Sequence, residues 1–462
     1  MGAVASGTRR VGRQDGPREG IPGRLLSVAG AAGGPGWGRA AGADRWIRAQ
    51  PESTDGRRCE RRRPGGLVSR RRIPPRAILG IVTSFTFATA HRIVFGAGRA
   101  ADLTSIAAEF GSRPFVCTGA DPGRFAHLLT GLRDARTWPV AGEPTLDDVR
   151  AGVAAARAHG ADVMIGLGGG AVMDAAKLIA ALVPNDGDLL DYLEVIGAGR
   201  PLAATPLPFL AVPTTAGTGS EVTSNGVVTS PEHGVKVSLR ASSMLARVAL
   251  VDPELTLGCP PAVTASSGLD ALTQCLEPYV SPFANPLTDG FCVEGLRRAG
   301  RSLRRAHAAG DDLDARTDMA LCSLLGGLAL ANAKLGAVHG LAGVIGGLTG
   351  APHGVCCATL LVPASAATIA VLQADDPAHP ALQRYAAAGE LLSGSAGIEP
   401  LLGWLRETVH ELGVPSIAEL GVRPDDHDRI AEQATKASST KGNPVALSAQ
   451  QLSDVLAAAA AA

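Results

Sequence analysis

The sequence predicts an α/β amino-terminal domain followed by an all-α carboxyl-terminal domain, and three observations carry that reading. Between residues 82 and 256 short apolar runs alternate with amphipathic stretches, the pattern of a mostly parallel sheet covered by helices. One of those runs ends in three consecutive glycines, Gly168, Gly169 and Gly170, and a helical pattern follows at once. After Asp252 and Pro253 the strand-like runs stop, and helical periodicity continues through the rest of the chain.

In order, 92–95 reads as a short strand and 100–110 as an amphipathic helix. Residues 114–118 form an apolar run suited to a buried strand, with helices expected at 124–134 and 145–159. The strand at 162–167 enters the glycine turn, the helix 171–182 leaves it, and 208–213 is the next strand. The predicted helices of the second domain, 257–462, are 261–280, 289–308, 311–335, 338–348, 363–372, 381–392, 401–412 and 425–435.

Residues 1–81 differ from the rest. The first 75 are rich in Gly, Pro and Arg, with Arg57, Arg58, Arg61, Arg62, Arg63, Arg70, Arg71 and Arg72 in clusters and no hydrophobic period. Disorder is the expectation there. An arginine-rich transit peptide is a second reading, and a third places translational initiation at Val82, where the α/β pattern begins.

Of the 462 residues, Lys+Arg and Asp+Glu number 43 each, a balance that argues against a polyanion-binding protein. No run of 18 apolar residues is evident, so no membrane span is expected. The eight cysteines form neither a CxxC pair nor a regular framework, and they read as reduced, buried thiols of a cytoplasmic protein. The adjacent Cys356 and Cys357 read as core.

Three segments carry candidate chemistry. The Gly168–Gly170 turn, with Asp174 and Lys177 one and two turns into the helix, could cradle a pyrophosphate on a helix N-terminus or be a bare tight turn. The loop Pro213-Thr214-Thr215-Ala216-Gly217-Thr218-Gly219-Ser220-Glu221-Val222-Thr223 follows a strand. Its small hydroxyls and glycines suit a dinucleotide as well as a flexible surface loop. Asp270, His339 and His353 are a carboxylate and two imidazoles, a set able to hold one divalent metal with positions left for substrate. His339 falls on a predicted helix and His353 in a loop after Pro352. Gln274 shares a helix face with Asp270.

These motifs, with Leu250-Val251-Asp252-Pro253, Gly268-x-Asp-Ala-Leu-Thr, Val338-His339-Gly340, Pro352-His353-Gly354 and Lys441-Gly442-Asn443-Pro444, resemble the iron-containing (group III) alcohol dehydrogenase family, which includes maleylacetate reductase and is related to dehydroquinate synthase. The resemblance covers about residues 82–462. It implies an amino-terminal dinucleotide-binding domain, a helical metal and substrate domain, and an active site between them. It implies NAD or NADP as cofactor and a divalent metal, Fe or Zn, on Asp270, residue 274, His339 and His353. An alcohol, aldehyde or oxo acid is the implied substrate, and a homodimer or higher homo-oligomer the implied assembly. Thr214, Thr215, Thr218, Ser220, Thr223 and Lys236 correspond to cofactor contacts.

Three positions depart from the family pattern. Gln274 stands where a ligand histidine is usual, offering only a weak amide oxygen. Gly343 replaces a histidine near the nicotinamide. Gly119 stands where an acid usually bonds the ribose of NAD, so the 2′-phosphate of NADP meets no repulsion. The expected activity is metal-assisted hydride transfer between an alcohol and a carbonyl, with His339 or His353 managing the proton if no metal binds. The alternatives are a metal-independent maleylacetate reductase, a lyase of the dehydroquinate synthase type, and a binding protein without activity.

Overall fold

The computed structural model describes residues 84–461, so the readings of the arginine-rich head and of a start at Val82 lie outside the described residues. In chain order the elements are β1 (Arg92–Phe95), α1 (Leu103–Ala108), β2 (Pro114–Thr118), α2 (Ala126–Leu129), β3 (Arg136–Pro139), α3 (Leu146–His159), β4 (Val163–Gly168), α4 (Gly170–Leu182), β5 (Phe209–Pro213), β6 (Asn225–Ser230), β7 (Val235–Arg240) and β8 (Val248–Val251). The helices α5 (Pro261–Val280), α6 (Pro286–Ala308), α7 (Leu313–Ala333), α8 (Ala337–Thr349), α9 (His353–Asp375), α10 (Pro380–Ser393), α11 (Ile398–Glu411), α12 (His427–Lys436) and α13 (Ala449–Ala461) follow.

Six strands form one parallel sheet in the order β1-β8-β5-β4-β2-β3. The inner strands β2, β4, β5 and β8 are buried throughout, as expected when helices cover both faces. The chain steps outward from β2 to β3, then returns to β4 and continues the other way to β5. The direction of winding therefore reverses between β2 and β4, which opens a crevice at their carboxyl ends. Thr145 starts α3 with a capping box to Asp148, and Gly160 stops it at φ 67°, a conformation that glycine adopts without strain.

The helical half is built on α5, whose Leu269, Leu272 and Leu276 are almost fully buried and contribute about 1.5–3 kcal/mol each. The sheet half and the helical half meet at the loop after β5. There a Cβ on Gly219, at φ 59°, would collide with the Gly327 main chain of α7, and one on Gly217 would lie 2.6 Å from Ser267 Cβ on α5.

Several boundaries correct the expectations from sequence. The strands β3 and β8 and the antiparallel hairpin β6–β7 escaped notice, as did α13. The helix expected at 124–134 is a 3₁₀ turn followed by the four residues of α2. The largest correction is α9, which starts at His353 rather than Pro363. Pro352 occupies the position before the first turn, and Pro363 lies inside the helix. A proline there removes one backbone hydrogen bond, but Leu360, Leu361, Ala364 and Ile369 around it are buried, and that packing holds the helix through the break. Long and apolar (mean hydropathy 2.2), α9 has a length and composition sufficient to cross a membrane, a property that the buried core helix of a globular domain shares. Its apolar window is 61% buried against other helices.

Candidate functional site

The crevice between β2 and β4 is an open pocket of about 160 Å³, lined by Thr118, Gly119, Asp121, Arg124, Gly168, Gly169 and Thr214 among others. Gly119, Gly168, Gly169 and Thr214, read separately from the sequence, converge there because each ends or follows one of three adjacent strands. The helix α4 opens at Gly170 with no side chain capping its N-terminus, so its first backbone N–H groups remain available to an anion. A Cβ on Gly170 would lie 2.6 Å from Thr218 Cγ2, and one on Gly169 would lie 3.3 Å from Thr215 Oγ1. The bare glycines thus let the loop after β5 close over the turn, and this cradle fits a dinucleotide pyrophosphate. At Gly119 a Cβ would meet nothing within 4 Å. Asp121 and Arg124 were not singled out from sequence. Asp121 accepts from Gly123 N at 2.9 Å, and the Arg124 guanidinium reaches Leu257 O at 3.1 Å.

Asp174, Ser220 and Thr223 are held in a buried network around Lys177. Its ammonium donates to Ser220 Oγ at 2.7 Å, Ser220 O at 2.9 Å and Thr223 Oγ1 at 3.0 Å, and Ser220 Oγ donates to Asp174 at 3.0 Å. Burial pushes Asp174 up to about 6 and neighbouring Glu221 to about 7, and lowers Lys177. The network fixes the loop after β5 to α4, so these residues act on the pocket by shaping its wall.

The second cluster lies in the helical half. Ligand atoms of Asp270 (α5), His339 (α8), His353 and Cys357 (both α9) all lie within 4.8 Å of one another. His339 Nε2 is 3.2 Å from Asp270 Oδ1, and Cys357 Sγ is 3.5 Å from His353 Nε2. Glu277, two turns beyond Asp270 on α5, accepts from His339 Nδ1 at 2.7 Å and from Val338 N at 2.8 Å. Burial opposes charge on His339, yet the Cys357 sulfur, Glu277 and Asp270 together hold its pKa well above the usual imidazole range. Burial likewise opposes ionisation of Asp270, but His339 and His353 hold its carboxyl low. Burial lowers His353, which stays a neutral lone-pair donor.

Asp270 Oδ2 and Gln274 Oε1 are buried oxygens with no hydrogen-bond partner. Two acceptors lacking donors, beside two imidazoles, suit a cation, so the residues fit a divalent metal. Glu277 and Cys357 were missed from sequence. The signal for Glu277 was a lone acid seven residues after Asp270 on the same helix face. Cys357 stands one turn after His353, but the loop expected around His353 concealed that spacing.

Lys236, on β7, reaches toward α8. Its ammonium lies 3.4 Å from Glu143 Oε1, has no hydrogen-bond partner among the described residues, and would be 3.1 Å from a Cβ on Gly346. On the same helix Gly343 faces open space. All seven described cysteines are buried free thiols.

The sequence matches the model of the iron-containing alcohol dehydrogenase family over residues 90–253 and that of the family's C-terminal domain over 264–460. It is 35% identical to alcohol dehydrogenase 4 of Saccharomyces cerevisiae over 310 residues, 67% of this chain and 78% of that protein. The structure of a 1,3-propanediol oxidoreductase is similar with a TM-score of 0.74 and 31% identity, covering 81% of this chain and all of that one. Sulfoacetaldehyde reductase from Bifidobacterium kashiwanohense, in complex with NAD+, is similar with a TM-score of 0.72 and 25% identity, covering 82% and 99%.

Proposed function

This chain belongs to the iron-containing alcohol dehydrogenase family, and on that premise we propose how its own residues carry the reaction. It is an NAD-dependent alcohol dehydrogenase, interconverting an alcohol and a carbonyl. The metal-independent reduction of an oxo acid is not favoured, because the relatives are alcohol and propanediol dehydrogenases. The observation that carries the assignment of residues is the contact of Gly217 with Ser267. It joins the loop lining the dinucleotide crevice to α5, one turn before Asp270.

Gly168, Gly169, Gly170 and the α4 N-terminus hold the pyrophosphate, with Thr214, Thr215 and Thr218 closing over it. Asp174, Ser220 and Thr223 position that loop through Lys177. Lys236 contacts the cofactor from β7, and open Gly119 together with Arg124 supports use of NADP as well as NAD.

Asp270, His339 and His353 hold a divalent metal, Fe or Zn, and Gln274 lies beside them. The metal would supply Lewis-acid polarisation of the substrate oxygen, and the nicotinamide would supply or accept the hydride. Glu277 accepts the proton on His339 Nδ1, which fixes the ring with Nε2 facing Asp270, where loss of the Nε2 proton would leave that nitrogen to the metal. The open space over Gly343 receives a small alcohol or aldehyde.

The free buried thiols support a reducing cytoplasmic compartment. Among the described residues β1 is paired on one side alone, with exposed Ile93, which supports a homodimer or higher homo-oligomer.

The test is a steady-state assay of metal-loaded protein with primary alcohols, diols and the matching aldehydes, using both NAD(H) and NADP(H). Substrate-dependent turnover supports the assignment. Its absence with every carbonyl and alcohol, in protein whose metal content is confirmed, would overturn it.

A further inference from the structure

We infer that Cys357 is a metal ligand, its sulfur completing the site that Gln274 leaves short of a strong donor. The inference rests on the reading of Asp270, His339 and His353 as metal-holding residues. Cys357 and His353 lie one turn apart on α9, so both side chains leave the same face of a helix whose first turn borders the cluster. Two of the separations match those around one ion, and all four ligand atoms lie within 4.8 Å of one another. Bonds of about 2.3 Å to sulfur and about 2.0 Å to nitrogen or oxygen, at tetrahedral angles, place neighbouring ligand atoms roughly 3.3–3.6 Å apart. Cys357 Sγ and His353 Nε2 are 3.5 Å apart, and His339 Nε2 and Asp270 Oδ1 are 3.2 Å apart.

A second observation is independent of the cysteine. Asp270 Oδ2 is buried without a partner, and the Asp270 side chain is 1% exposed. That oxygen has no hydrogen-bond partner among the described residues, and a cation bound between the imidazoles and the thiol would satisfy it. Gln274 Oε1 is a neutral amide oxygen, also unpartnered, and a weaker donor than a thiolate toward a borderline ion.

The binding step is a proton-for-metal exchange. The S–H bond of Cys357 breaks, the sulfur–metal bond forms, and the proton leaves to solvent without any oxidant or reductant. Four protein donors leave an ion that expands to five-coordination one position for a substrate oxygen. A thiolate among them shifts the preference toward Zn(II) and away from hard ions such as Mg(II).

Cobalt reports the sulfur directly. Full-length protein loaded with Co(II) should show visible ligand-field bands and, in the near ultraviolet, a thiolate-to-cobalt charge-transfer band. Cys357→Ala and Cys357→Ser should lose the charge-transfer band, keep ligand-field bands, and raise the cobalt dissociation constant at least about tenfold. Cys356→Ala should keep both features. Ligand-field bands without charge transfer in the native protein would overturn sulfur ligation while leaving the metal-holding reading intact, even if neither Cys357 variant folds. A charge-transfer band that survives in a folded Cys357 variant would overturn it as well. Failure of native protein and of Gln274→His to take up cobalt would overturn both.

Discussion

The Glu277 carboxylate receives the Nδ1 proton of His339 across 2.7 Å, and the same carboxylate receives the backbone N–H of Val338 across 2.8 Å. One side chain therefore fixes both the ring and the first turn of the helix that bears it. A histidine held this way keeps its ring oriented with Nε2 toward Asp270, 3.2 Å away, and exchanges the Nε2 proton for a metal when one binds.

Glu277→Gln should weaken metal binding by about 10–100-fold, because the amide NH₂ would face Nδ1 and drive the ring proton onto Nε2. The melting temperature of metal-free protein should change much less. Competition with a chromophoric chelator measures the first quantity and calorimetry the second; unaltered affinity would remove Glu277 from the site.

Gln274→His should tighten metal binding, since imidazole binds Zn and Fe more strongly than an amide oxygen does. His353→Ala should abolish both metal and most alcohol oxidation. Native activity that resists chelators, together with no tighter uptake by Gln274→His, would sink the Lewis-acid role and leave the hydride-transfer assignment standing.

Cofactor choice turns on the open position after β2. Native enzyme should use NADPH within about tenfold of NADH, a difference of about 1.4 kcal/mol in transition-state binding. Gly119→Asp should raise the preference for NADH, because a carboxylate there would repel a 2′-phosphate. The ratio of kcat/KM for the two cofactors decides it, and strict NADH dependence unchanged by Gly119→Asp would count against this position.

Glu221 supplies a test by pH. Burial raises it from an ordinary 4.5 to about 7. The folded chain thus keeps a proton that the unfolded chain has lost, so this contribution to stability is complete below pH 4.5 and fades as pH rises through about 7. Glu221→Gln has no proton to lose. Its stability relative to native protein should rise across that window and level off above it, by on the order of 3 kcal/mol in total. Denaturant melts at several pH values would show a flat difference if Glu221 ionises normally.

The fold class was legible because burial on both faces makes β2, β4 and β5 continuous apolar runs, and the Gly168–Gly170 turn marks where β4 gives way to α4. The hairpin β6–β7 was not. Its burial alternates along polar-rich segments, which read equally well as loop. In the site, Asp270, His339 and His353 announced themselves by type and order. Cys357 did not, since a buried thiol beside Cys356 looks like core until α9 is known to begin at His353. Its meeting with His339 is made by the packing of α8 on α9, which no local pattern encodes. Lys177 likewise gave no hint that it, rather than a bound ligand, would gather Ser220 and Thr223.

The contact of Gly217 with Ser267 has a thermodynamic corollary. One loop forms the rim of the dinucleotide crevice and also leans on the helix that carries Asp270, so ordering it for one occupant alters the work left for the other. Equilibrium linkage then runs both ways. Whatever factor a bound dinucleotide contributes to metal affinity, the metal must return to dinucleotide affinity, and two titrations run in opposite order must close on a single coupling free energy.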